Sequence, residues 1–137
     1  MFEEILLKEQ LTKEQINAGA RLVNYLLQTG MPIYVAMWFF TPENNKWRLL
    51  ISSPIHDSDP RGAWSQIDDA KIALGKEIEE LLYLSVGGLS TRDELVYDLM
   101  HDPYLPRDGK PISLTHAGVR GRFVDDALVY RAIAAPQ

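Results

Sequence analysis

Between Thr12 and Thr29 the apolar positions recur at helical spacing. Ile16, Ala20, Val23 and Leu27 form one stripe, and Leu22 and Leu26 widen it. Thr12 and Gln15 have the S/T-x-x-E/Q spacing of a capping box, and Leu11 and Ile16 are placed as its hydrophobic staple. Gly30 fits a left-handed C-terminal cap, and Pro32 blocks continuation. These signals predict a helix over 12–29. The period then changes to two. In "PIYVAMWFF", Ile33, Val35, Met37 and Phe39 would face one side of a strand, and Tyr34, Ala36, Trp38 and Phe40 the other. Both sides are apolar, so this strand is central or is covered by a partner. "TPENNK" is a turn and "WRLLISS" a returning strand, with Trp47, Leu49 and Ile51 on one face and Arg48 on the other.

Downstream, "DPRGAWSQIDDAKIAL" returns to helical spacing. Trp64, Ile67, Lys71 and Leu74 share a face with Ala63 and Ala70 beside it, Asp59 is placed as N-cap, and Pro60 takes the first helical position. "ELLYLSVGG" reads either as a resumed helix or as a strand. The alternation of Leu82, Leu84 and Val86 favours a strand over 81–86 that Gly87-Gly88 would stop. Thr91 and Glu94 have the spacing of a second capping box, opening a helix on Leu95, Val96, Leu99 and Met100 that Asp102-Pro103 ends. "ISLTHAG" and "RFVDDALVYRA" read as two strands joined around Gly118 and Gly121. A helical face through Phe123, Ala127 and Tyr130 is the alternative for the second, which its β-branched and aromatic content disfavours. The resulting order, α-β-β-α-β-α-β-β, predicts an α+β fold: a mixed, largely antiparallel sheet of about five strands covered by three helices.

Composition narrows the class. A chain of 137 residues suits a single domain over 1–137. Hydrophobic content of 46% with 24% charged residues is close to globular averages and argues against a disordered chain. The absence of cysteine excludes disulfides, thiol catalysis and thiolate metal sites. No apolar run approaches the ~18 residues of a membrane span. The acidic start "MFEEILLKEQ" lacks the basic region of a signal peptide, so a cytoplasmic protein is expected. The net charge of -5 opposes nucleic-acid binding. Arg107, Lys110, Arg120, Arg122 and Arg131 nonetheless concentrate positive charge late in the chain, enough for an anionic small molecule or an acidic partner.

The stretch "MWFFTPENNKWRLLISSPIHDSDPRGAWSQI" followed by "GRFVDDALVYRA" resembles a family of small uncharacterised bacterial proteins. In that pattern an aromatic hairpin leads through an acidic D-P-R turn into a helix. The chain then closes on a D-A-x-x-Y-R strand, matched here by Asp126, Ala127, Tyr130 and Arg131. The resemblance implies a bacterial intracellular domain and carries over no catalytic residues.

The chemistry-bearing stretch is "SSPIHDSDPRG", 52–62. His56, Asp57 and Asp59, joined by His101, Asp102 and His116, have the donor types of a divalent metal site. No H-E-x-x-H or similar dense spacing supports it, and Asp59 is already explained as a helix cap. A nuclease reading of Asp69 and Lys71 in "DDAK" fails because the pair falls inside a helix. Ser52 and Ser53 near His56, or Ser113 near His116, lack a nucleophile-elbow motif and read as strand-end residues. An anion at the helix start beside Arg61 is the more economical small-molecule idea, with Arg107, Lys110, Arg120 and Arg122 extending it, although Asp57 and Asp59 would repel it. The binding residues expected are therefore His56, Asp57, Arg61, Arg120 and Arg122, with no cofactor, no metal and no assigned catalytic residue.

The aromatic set Tyr34, Trp38, Phe40, Trp47 and Trp64 is core by default. The doubly apolar first strand and the segment Phe2, Ile5, Leu6 and Leu7 point to a homo-oligomer, foremost a homodimer, or to a protein partner. The leading expectation is a binding domain acting as a homodimer or complex subunit. The alternative is a small hydrolase or phosphoesterase centred on 54–62, which requires a concave pocket there and a further titratable residue from 101–122.

Overall fold

The computed structural model describes residues 10–81, 85–108 and 110–135. Helix α1 spans Lys13–Gln28. The Thr12 hydroxyl accepts from the Gln15 N–H at 3.0 Å, and the Gln15 side chain accepts from the Thr12 N–H at 2.9 Å. At the far end Gly30 adopts φ 95°. The Met31 N–H then reaches the Leu26 carbonyl and the Gly30 N–H the Leu27 carbonyl, at 3.0 and 3.1 Å, the paired closure of a Schellman motif.

β1 (Val35–Thr41) and β2 (Lys46–Ser52) form the expected hairpin, with Phe40 opposite Trp47. The chain then makes a short helix α2 (Pro54–Ser58), the helix α3 (Pro60–Leu74) and helical turns over Gly75–Leu81 that break at Ile78. β3 (Ser85–Leu89) runs parallel to β2, and α4 (Glu94–His101) follows it. β4 (Ile112–Val119) and β5 (Arg122–Ala132) close the chain as a second hairpin. β5 lies antiparallel to β1, so the five-stranded sheet has the order β3-β2-β1-β5-β4. The fold is α+β, as the pattern predicts.

Both apolar faces of β1 are covered from within the chain. Ala36, Trp38, Phe40, Trp47, Leu49 and Ile51 pack under α1, α3 and the turns after α3. Val35, Met37, Leu50, Ala127 and Val129 pack under Leu95, Val96, Leu99 and Met100 of α4. The cover that the sequence pattern assigned to a partner is thus supplied by α4. The segment holding Phe2, Ile5, Leu6 and Leu7 lies outside the described residues.

Two irregularities shape the second hairpin. Arg120 and Gly121 both take positive φ, 50° and 84°, as a tight two-residue hairpin turn needs. His116, at φ 47°, breaks the alternation of β4. Ile112 and Leu114 before it and Val119 after it all join the α4-side cluster, although a regular strand would turn them to opposite faces. On β5 the register shifts between Ala36 and Met37, leaving Tyr130 as an extra residue. Its hydroxyl donates to the Ile16 carbonyl and accepts from the Trp38 indole N–H at 2.7 Å, tying α1 to the sheet. Burial pushes this phenol up to about 12.

Several local expectations are corrected. The strand expected over 81–86 begins later, at Ser85, and Gly87 and Gly88 lie inside it; 82–84 fall outside the described residues. The second capping box does not form. Asp93 caps α4 instead, accepting from the Leu95 N–H at 2.9 Å, because the Thr91 hydroxyl is engaged elsewhere. Trp64 is 42% exposed: α3 buries the small residues Ala63 and Ala70 with Ile67, and the indole lies at the margin of that stripe.

Candidate functional site

β2 and β3 are parallel neighbours, with Ser52 opposite Leu89. The loops leaving their C-terminal ends therefore lie side by side, the usual position for a ligand site in a sheet with parallel strands. One loop carries Ser53 to Asp59 and the other Ser90 to Asp93. Ser53 caps α2, its hydroxyl accepting from the Ile55 N–H at 3.2 Å. Pro54 takes the first helical position, and Asp59-Pro60 repeats the device at the start of α3, where the Asp59 carboxylate accepts from the Gly62 N–H at 3.1 Å. The loop is thus two caps in series, and the short helix α2 between them carries His56 and Asp57.

Asp57 reaches across to the β3–α4 loop. Its carboxylate accepts from the Ser90 hydroxyl, from the Thr91 hydroxyl at 2.5 Å and from the Thr91 N–H at 3.3 Å. The Ser90 and Thr91 donors, with a smaller contribution from the Arg92 charge, hold this carboxyl below its ordinary 3.8. Charge-assisted bonds of this kind are the stronger class, and here they knit two segments more than thirty residues apart.

His56 turns inward. A Cβ built on Gly88 would fall 2.1 Å from its Nε2, so β3 makes room for the ring only by having glycine there. Trp64 meets the ring edge-on, with centroids 6.2 Å apart. Both ring nitrogens are shut off from solvent and neither has a hydrogen-bond partner. Burial lowers the imidazole below its usual 6.5, and the Ser53 backbone and Asp57 charge oppose this without offsetting it. A neutral ring with both nitrogens covered fills space between β3 and α3. It has no path for proton exchange with a substrate.

The remaining expected residues do not converge here. Arg61 is exposed on the first turn of α3 with no ion pair among the described residues. Arg120 lies in the β4–β5 turn, toward the N-terminal end of β5, whereas the 54–62 loop follows the C-terminal end of the parallel strand β2. These ends of the sheet are on the order of 30 Å apart at strand rise. Arg120 instead closes the end of α4. Its Nη1 donates to the His101 carbonyl at 3.4 Å, its Nε stands 3.6 Å from Asp98, and its guanidinium lies 5.5 Å from the Tyr97 ring centre. Arg122 opens β5, and its side chain lies outside the described part of the structure. Arg107 is likewise engaged by backbone. It donates to the carbonyls of Met100, Asp102, Ala132 and Ile133 at 2.8 to 3.3 Å.

The other histidines lie apart from the 54–62 loop. Among the described residues no group of three His, Asp or Glu side chains could hold a metal. His101 bonds back to the Tyr97 carbonyl through Nδ1, and His116 lies 3.5 Å from Asp125 on the second hairpin. Among the described residues no titratable side chain of 101–122 bonds to the 54–62 loop, and four cavities of the molecule are lined by other residues. Among the described residues no helix is long and apolar enough to cross a membrane.

What the residue pattern did not find is a cleft at the C-terminal end of β5. A cavity of about 360 Å³ opens between α1 and β5, lined by Val23, Asn24, Leu27, Pro111, Tyr130 and Arg131 among others. A smaller one of about 60 Å³ adjoins it through Tyr130 and Arg131, and adds Arg107 and Lys110. Lys110 and Arg131 were visible as charges, but only the pairing of β4 with β5 places them together. Comparison with known protein families, with curated protein sequences and with solved structures finds no match to this chain.

Proposed function

We propose that this chain is a binding domain that pairs with a second copy of itself through β4. The observation that carries this reading is the character of that edge. β4 is an eight-residue edge strand, "ISLTHAGV", with no lysine, arginine, aspartate, glutamate or proline in it. Edge strands that stay single are blunted by such residues, because a row of unpaired N–H and C=O groups otherwise recruits another strand. Ser113 and Thr115 leave their side chains exposed, and Phe123, on the partner strand, is 63% exposed. A twofold axis through β4 would pair the strand with its own copy, antiparallel, and join two five-stranded sheets. The closed geometry of His56 and Asp57 supports binding over hydrolysis.

Light scattering over protein concentrations of about 1 to 100 µM tests the proposal. The expected result is a concentration-dependent dimer that Ser113→Lys weakens at least about tenfold, by placing a charged ammonium group on the edge that must pair. A strict monomer over that range, or a dimer that Ser113→Lys leaves unchanged, would overturn it.

A further inference from the structure

We propose that the cleft between α1 and the end of β5 binds a small organic carboxylate with an apolar body. The argument begins with Arg131. Its Nε donates to the Ile33 carbonyl at 2.6 Å, which fixes the plane of the half-buried guanidinium. Its two terminal nitrogens have neither a hydrogen-bond nor an ion-pair partner among the described residues. A partly desolvated cation held in place without a counter-ion is unfavourable, and an anion at its open edge relieves that cost. The planar fork suits a carboxylate through two parallel bonds.

The surroundings agree on sign. At the smaller cavity Lys110 adds a second cation with no ion-pair partner among the described residues, and among those residues no aspartate or glutamate lines either cavity. Asp108, the nearest acid in sequence, turns back on its own loop to accept from the Lys110 N–H at 3.1 Å. Arg107, committed to four carbonyls, raises the local potential without being available for direct contact. Besides Arg131 the larger cavity is lined by the apolar Val23, Leu27 and Pro111 with Tyr130, and Asn24 lines it from α1. The volume of about 360 Å³ lies at the lower end of the range for small-molecule sites. Positive charge and hydrocarbon in one lining describe an amphipathic acid. Inorganic phosphate would leave the apolar wall unused.

The probe is octanoate, followed by amide chemical shifts of the full chain, with octylamine and inorganic phosphate as comparisons. Saturable shifts at Val23, Leu27 and Tyr130 with octanoate, and none with octylamine, are expected. Asn24→Glu, an exposed change that puts a carboxylate in the cleft, should weaken octanoate at least about tenfold, and Lys110→Gln should weaken it less. Arg131→Gln should abolish saturation. Should that variant lose its fold, the two exposed variants decide. Shifts elsewhere, no saturation, equal binding of octylamine, or indifference to Asn24→Glu would overturn the proposal. Tighter binding of phosphate than octanoate would also overturn it. None of these results depends on whether β4 pairs with a second copy.

Discussion

Replacing Gly88 with alanine tests whether His56 is a packing group. The added Cβ would lie 2.1 Å from Nε2, 2.5 Å from Cδ2 and 3.0 Å from Cε1 of the imidazole. None of these distances is tolerable, and the strand backbone cannot yield without breaking its register with β2, where Gly88 faces Ile51. The ring must therefore leave. What is lost is the burial of a half-buried ring and its edge contact with Trp64, plus whatever strain remains, together about 1–3 kcal/mol on the scale of overpacked interiors. His56→Ala alone removes the ring and leaves a small void, costing about 1–2 kcal/mol at a half-exposed position. In the double variant the new methyl enters the space that the ring vacated. The two costs should therefore fail to add, with a coupling of about 1 kcal/mol or more in the favourable direction. Urea unfolding of the four proteins measures this directly. Strict additivity, or a Gly88→Ala variant as stable as the parent, would refute the packing of His56 on β3.

Two further outcomes follow from the same contacts. Because burial holds the folded His56 below 6.5, the unfolded chain gains a proton first as pH falls. Stability is then complete above that value and declines below it, with a slope of at most about 1.4 kcal/mol per pH unit from this one proton. Asp57, held below 3.8, keeps its contribution above that value and loses it as pH falls further. Denaturant midpoints across this range should show His56→Ala flattening the upper window alone and Asp57→Asn the lower. An unchanged upper window in His56→Ala would reject the buried neutral ring. Gly19→Ala should destabilise despite the usual helical gain of about 1 kcal/mol, since its Cβ would sit 2.7 Å from the Tyr130 hydroxyl and 2.8 Å from Trp38 Nε1. A net loss of about 2–3 kcal/mol is expected, partly relieved in Gly19→Ala/Tyr130→Phe, and a stabilised Gly19→Ala would reject the close approach of α1 to the sheet.

The parts of the fold legible in the residues are those fixed by local chemistry. The capping box at Thr12, the cap at Asp59 and the alternation of β1 each need only neighbours within a turn or a strand, and all three form. What escaped depends on distant partners. Gly87-Gly88 has the composition of a stop, yet both lie within β3, where Gly88 leaves room for a ring from another element. Thr91 and Glu94 have the spacing of a capping box, but Asp57, thirty-four positions away, takes the Thr91 hydroxyl and leaves the cap to Asp93. Helix α2 was legible and overlooked. Ser53-Pro54 carries the same cap-and-proline signal as Asp59-Pro60 six residues later. For the site, His56 and Asp57 stand out by residue type, but residue type does not distinguish a reacting pair from a structural one. That distinction lies in what each atom touches.

The late cluster of basic residues shows the same limit from the other side. Five cations between 107 and 131 suggest an electropositive surface by count alone. Arg107 satisfies carbonyls where the end of β5 runs past the start of β4, and Arg120 satisfies one at the end of α4. Both places leave backbone acceptors without a ladder or helix partner, and the guanidinium fork can serve two such groups at once where an ammonium on a flexible stem cannot hold them in plane. Arginine here substitutes for missing secondary structure. Arg131 begins the same way, at the Ile33 carbonyl, but its terminal nitrogens have no partner among the described residues, and it lines a cleft where none of those residues is an acid. Among the described side chains of the cluster, the donors left after the backbone is satisfied therefore lie on Arg131 and Lys110.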